Sequence, residues 1–389
     1  MLHSPLVPES CPAPMATFSP AQDPELLGDQ LLGLLETEKF YTVEHVPCQA
    51  MFLPEDESVP LEEWRRKICQ WSFRVIDHFR LDREVVTLGM NIFDRFLIAH
   101  PSGSDENVLS RDCICPSCKR SVDSRTYQLA AMTSLYLAVK LHSAGSDEEF
   151  NRRRHFKLAS FVELSRGQFA SQDLCAMERT VLATLSWKVN SPTPMAFVTY
   201  LLNLLMPRRE AMPPHSRHNF ELVLHVLREL SRYLTELAVC LGSDCTSQKQ
   251  SQVGFAAIMV SMDLLTDQAL PSSVRDAFAH ATVTTCGWTA QDLEICDDLR
   301  SQLQRALWPE MLLDESEQAD AGHPISMARD YGLLDVEQIY RVNCSIQQKQ
   351  QLQQPTSPTR VAGHLVREHN KKTLQPSCWN GSPVSVTRR

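Results

Sequence analysis

The chain has no apolar run long enough to cross a bilayer. Its longest mostly apolar stretches, Leu129 to Val139 and Phe255 to Leu265, fall well short of the roughly 20 residues a spanning helix needs. The N-terminus lacks a basic region followed by an apolar core, so neither secretion nor membrane contact is expected. Basic charge is scarce as well. Lys and Arg total 38 against 47 Asp and Glu, a net charge of -9, which argues against holding nucleic acid through phosphate neutralisation. An acidic chain suits a basic or neutral partner. A phosphate loop, a glycine-rich dinucleotide turn, a Gly-x-Ser-x-Gly elbow and a His-Glu-x-x-His helix are all missing from the sequence, and with them the common starting points of enzyme chemistry. We expect no catalytic residue and no cofactor.

What is present is an ordinary globular composition, 43% hydrophobic and 22% charged over 389 residues, enough for one large or two modest domains. The 13 cysteines are odd in number and irregular in spacing, so we read most as free thiols in a reducing, intracellular compartment. Residues 1–24 hold six prolines, which denies regular hydrogen bonding there and predicts a disordered tail over 1–29. From about Glu315 the helical periodicity fades, and a Gln-rich stretch, IQQKQQLQQP (346–355), follows. A second, largely disordered tail is expected over 313–389.

Between the tails, glycine and proline cluster at junctions and apolar residues recur at helical spacing. Trp64, Ile68, Trp71 and Val75 form one stripe, and Val85, Leu88, Ile92, Phe93 and Phe96 another. Thr126 to Leu141 carries Ala130, Ala131, Ser134 and Ala138 among larger side chains. Small residues allow neighbouring helices to approach, so this helix is expected at the centre of its bundle. Short helices follow near 156–164 and 171–185. SPTP (191–194) punctuates the chain, and a comparable series restarts. Val223, Leu227, Leu230, Leu234 and Leu237 repeat at helical spacing, and Gly254, Ala256 and Ala257 repeat the small-residue pattern before two more helices at 272–281 and 289–306. The expectation is all-α: two tandem five-helix units over 30–190 and 191–312.

Four motifs in one order then resemble the cyclin family. WRRKICQW (64–71) looks like the opening helix of the cyclin box, MNIFDRFL (90–97) closely matches its second-helix signature, LYLAVKL (135–141) resembles the end of the central helix, and AMERTVLATLSWKVNSPTPMAF (176–197) resembles the fifth helix with the linker into the second fold. The resemblance implies two stacked cyclin folds that bind and activate a cyclin-dependent protein kinase as a heterodimer, in the nucleus and cytoplasm, with substrates or inhibitors as further partners. It assigns Lys140 and Glu178 to the kinase contact and Arg65 and Asp94 to a buried ion pair between the first two helices. The lack of any Arg before Arg65, hence of an Arg-x-x-Leu signal, and the LLGLLETEKF stretch (31–40) lean toward a G1-type, D-like member. The alternative is a cyclin-fold factor associated with transcription, or a scaffold that activates no kinase.

Other features leave choices open. Trp64, Ile68 and Trp71 are either a substrate-docking groove or core, and Lys67 and Arg74, standing where an aliphatic residue and an acid are usual in the family, would repel a basic docking peptide. A loop at 100–124 holds Cys113, Cys115 and Cys118. Cys115-x-x-Cys118 has zinc-ligand spacing but lacks a second pair, so a metal completed by His100, His142 or His155, a redox-sensitive thiol cluster and an ordinary loop all fit. Ser357, in Ser-Pro-Thr-Arg (357–360), is a candidate for proline-directed phosphorylation.

Overall fold

The computed structural model describes residues 24–41, 61–99, 124–142, 157–242, 248–307 and 328–335. It is all-α, and among the described residues no strand occurs beyond one isolated bridge between Leu265 and Leu334. In chain order the helices are α1 (Pro24–Lys39), α2 (Leu61–His78), α3 (Glu84–Ala99), α4 (Ser124–Leu141), α5 (Leu158–Leu164), α6 (Ser171–Thr184), α7 (Pro194–Leu202), α8 (Pro214–His218), α9 (Phe220–Leu241), α10 (Gln250–Asp263), α11 (Ser272–Cys286) and α12 (Ala290–Ala306). A 3-10 segment, Asn203–Ala211, follows α7.

Two hydrophobic cores result. The first gathers α2 to α6 around α4, where Tyr127, Ala130 and Ala138 are almost fully buried. The second gathers α7 and α9 to α12 around α10, whose described side chains are buried nearly all the way round. Close approach at both centres depends on a missing side chain. A Cβ on Gly89 of α3 would lie 3.2 Å from the Leu135 Cα of α4, and one on Gly254 of α10 would lie 2.8 Å from the Pro194 carbonyl oxygen of α7. The small-residue pattern read in 251–257 thus marks a central helix pressed against its neighbour's backbone.

Two stretches depart from the sequence reading. Helix α1 begins at Pro24, inside the span read as a tail, and packs on the second unit instead of the first: Leu31 is 1% exposed within the second core. Its apolar residues Leu31, Leu34 and Leu35 share one face, and that face is closed by a buried carboxylate. Glu38 accepts the Ser251 backbone N–H at 2.8 Å and the Ser251 hydroxyl at 2.7 Å, satisfying one of the donors left free at the start of α10. Burial pushes the Glu38 carboxyl up, and the Ser251 bonds and Lys249 only partly oppose it. The C-terminal tail also contributes structure. Ala328, Leu333 and Leu334 are buried in the second core, and the Thr266 and Asp335 amides donate to the Leu333 and Leu264 carbonyls at 2.9 and 2.8 Å. Eight residues of a polar segment therefore form a strap across the end of α10, beyond the expected boundary at 312.

Candidate functional site

Lys140 sits in the last turn of α4, and Glu178 lies in the second half of α6. They are 38 residues apart in sequence, and α4 against α6 brings them together: the Lys140 ammonium donates a short hydrogen bond to Glu178 Oε1. The ammonium also stands 5.0 Å from the centre of the Tyr136 ring, one turn earlier on α4, a distance at which the ring face attracts a cation. Tyr136 in turn meets Phe161 of α5 edge-on at 5.2 Å. Partial burial works to lower the Lys140 pKa, but the Glu178 bond and charge outweigh it and the net direction is up, so the lysine stays charged. The pair is asymmetric in exposure. The Lys140 side chain is 47% exposed and Glu178 16%, so a cation projects from a rim whose anion is set deeper.

The second predicted pair is buried. Arg65 of α2 donates from Nε and Nη2 to the two carboxylate oxygens of Asp94 in α3, at 3.0 and 2.8 Å. A third bond, from Nη1 to the Val239 carbonyl at 2.8 Å, reaches α9 of the second unit. Only Arg can do this, because its planar fork matches a carboxylate bidentately and leaves another N–H over. Burial alone would pull the guanidinium pKa down, and Asp94 more than offsets that.

The candidate docking stripe turns inward. Ile68 is 6% exposed in the first core, Trp64 and Trp71 are half-buried against it, and the Trp64 ring meets Tyr127 edge-on at 5.6 Å. Lys67 is paired with Glu63 at 2.9 Å. A stripe at helical spacing marks the buried face, and Trp64 and Trp71 keep part of their surface open at its edge. Cys113, Cys115, Cys118, His100, His155 and Ser357 lie outside the described residues.

His142, named with that cysteine loop, is described, and it belongs elsewhere. With Asp82 and Glu84 it makes a three-residue group at the junction of the units. Each member has local work. Asp82 Oδ1 accepts the Glu84 N–H at 2.9 Å, capping α3, its other oxygen is 3.6 Å from His142 Nε2, and Glu84 accepts the Thr193 hydroxyl that also caps α7. The positive charges of Arg228 and Arg232 bear on the same carboxylates, which disfavours a metal ion there.

Residues 34–190 match the family described as cyclin, N-terminal domain. That stretch, 34–190, is a cyclin box. The chain is 28% identical to cyclin-D3-3 of Arabidopsis thaliana over 49% of this chain and 45% of that one. Against G2/mitotic-specific cyclin S13-7 of Glycine max the identity is 26%, over 38% of this chain and 47% of the relative. The G2/mitotic-specific cyclin-B of Patella vulgata matches at 24% over 63% of this chain and 48% of the relative. The cyclin-box chain therefore spans about half the length of the curated relatives it matches. A viral cyclin from herpesvirus saimiri superposes with a TM-score of 0.46 and 14% identity, covering 72% of this chain and 98% of that one.

Proposed function

We propose that this cyclin-box protein is the regulatory subunit of a cyclin-dependent serine/threonine protein kinase, acting in cell-cycle control of the G1 type in the nucleus and cytoplasm. One observation carries the reading: the motif residues Lys140 and Glu178 stand side by side where α4 and α6 meet, as an exposed cation beside a recessed anion. Such a rim orients a partner and speeds encounter, adding specificity more than raw affinity. The mechanism is regulatory. A kinase works when its strand-borne Lys pairs with the Glu of its mobile helix, and a stiff partner that fits only that arrangement shifts the population toward it. The G1 assignment rests on the LLGLLETEKF stretch and the missing Arg-x-x-Leu signal, since the relatives above include both a D-type and G2/mitotic cyclins.

The test is affinity purification of the full chain from cells, identification of the kinase and a phosphorylation assay. Two variants accompany the native chain: Lys140→Ala with Glu178→Ala, and the charge reversal Lys140→Glu with Glu178→Lys. The reversal keeps an ion pair between α4 and α6 while inverting the rim seen by a partner. Both should weaken kinase association roughly tenfold or more, about 1.4 kcal/mol, with helical circular dichroism unchanged. Full association of the reversed chain would show that the two residues serve only the fold. Kinase association without activation would favour the scaffolding alternative.

A further inference from the structure

Cys69 of α2 and Cys240 of α9 come from helices of different units and are 171 residues apart, yet both pack in the first core and their sulfurs lie 3.2 Å from one another. Cys69 is fully buried, while Cys240, in the last turn of α9, is partly open to solvent. We propose that this pair is an oxidation site, at which a peroxide converts the two thiols into a disulfide that ties the first cyclin box to the second.

The surroundings divide the labour between the sulfurs. Arg65 is one turn before Cys69 and donates to the carbonyl of Val239, the residue next to Cys240, so a guanidinium sits beside both sulfurs. Its charge is shared with Asp94 on the same face. Glu236, one turn before Cys240, is engaged by Arg83 at 2.8 Å. The contact with Cys69 and the charge of Arg65 draw the Cys240 pKa below the ordinary thiol value against partial burial, whereas the same contact and burial raise Cys69. Cys240 is the sulfur that a peroxide can reach, and it attacks as the thiolate while buried Cys69 resolves. Cys286 and Cys296 of the second unit provide the contrast. Burial pushes both thiols up to about 12, where they are inert at neutral pH.

The chemistry balances with hydrogen peroxide as oxidant. The Cys240 thiolate attacks one peroxide oxygen; the S–O bond forms, the O–O bond breaks, and the departing hydroxide takes a proton and leaves as water. Cys69 then attacks the Cys240 sulfenic sulfur. The S–S bond forms, the S–O bond breaks, and the released hydroxide takes the Cys69 proton as a second water. Two thiols lose two electrons in all and one peroxide gains them. The sulfurs, 3.2 Å apart, must close by about 1 Å to reach disulfide length.

The experiment uses the full chain, reduced, desalted and exposed to hydrogen peroxide, then quenched with an alkylating reagent and mapped by mass spectrometry without reduction. A peptide linking Cys69 to Cys240 should be the first crosslink to form, at least tenfold faster than any involving Cys286 or Cys296, and dithiothreitol should reverse it. In Cys69→Ser the Cys240 sulfenic acid should persist and be trapped by dimedone, and in Cys240→Ser neither product should form at this site. The native chain tests the idea even if a variant fails to fold. Full alkylation of Cys69 and Cys240 after peroxide, or a crosslink in which either pairs with another cysteine first, would overturn it.

Discussion

Arg65 offers the sharpest perturbation, because one side chain bonds helices of both units. Replacing it with Ala removes both bonds to Asp94 and the bond to the Val239 carbonyl. Asp94 is 9% exposed, and stranding a buried carboxylate costs roughly 3–5 kcal/mol. Val239 lies in the last turn of α9, where carbonyls lack helical partners, and losing the donor there adds roughly 1 kcal/mol or more. Water entering the space left by the guanidinium returns part of this, so we expect about 4 kcal/mol of destabilisation. That corresponds to a fall of roughly 10 °C in the melting temperature of a chain with this much folded structure. Urea unfolding followed by circular dichroism measures it. Arg65→Lys should fall between, since an ammonium keeps the charge but not the fork. The decisive comparison is Arg65→Met with Asp94→Leu, which removes both charges and should recover most of the loss. A single Arg65→Ala within 1 kcal/mol of the native chain, or a double variant no better than the single, would refute the reasoning.

Gly254→Ala should destabilise the second unit by roughly 1–3 kcal/mol, because the added Cβ meets the Pro194 carbonyl oxygen at 2.8 Å and only backbone movement can relieve it; a stability equal to the native chain's would mean that α7 and α10 are not pressed together as described. Asp82→Asn addresses the acid side of the stability curve. The His142 imidazole beside Asp82 holds its carboxyl below the ordinary value, against partial burial and with help from the Glu84 amide. A depressed folded pKa gives stability that is present above the unfolded value of about 3.9 and lost as pH falls through the folded one. Asn still caps α3 but does not titrate, so chemical unfolding across pH 2 to 6 should show a shallower acid limb in the variant, and an unchanged limb would exclude Asp82 as a contributor.

How much of this was legible in the sequence depended on the range over which each signal acts. The stripe from Trp64 to Val75 and the small residues at Ala130, Ala138 and Gly254 are local patterns, and they located α2, α4 and α10 with the correct buried faces. Lys140 and Glu178 were found through their motifs; nothing in their spacing of 38 residues announces an ion pair. The attachment of α1 to the second core was out of reach, because the Glu38 bonds to Ser251 span 213 residues and a Glu in an amphipathic helix ordinarily faces water. The strap from Ala328 to Asp335 is too short to show periodicity. Trp187, exposed and with Ser186 in left-handed backbone (φ 63° and 50°), breaks the rule that favours glycine there. The Trp187 and Ser186 amides donate to the Leu182 and Ala183 carbonyls at 2.8 and 3.0 Å, so hydrogen bonds closing α6 hold a conformation the residue types disfavour.

The polar contacts divide by location, and that division bears on how such a protein works. Arg65 with Val239, Arg83 with Glu236, Glu84 with Thr193 and Cys69 against Cys240 all cross from α2, α3 or the turn between them to α9 or the linker. They act where apolar packing between the units is thinner than inside either core, and directional bonds at such a seam fix one relative placement better than greasy contact does. Lys140 and Glu178 lie away from the seam, within the first unit, and their removal strands no buried charge across it. The proposed partner contact and the contacts that join the two units are therefore carried by different residues. On the proposed reading, a change at the rim should alter kinase association without softening the scaffold, whereas a change at Arg65 should lower stability first and binding only as a consequence.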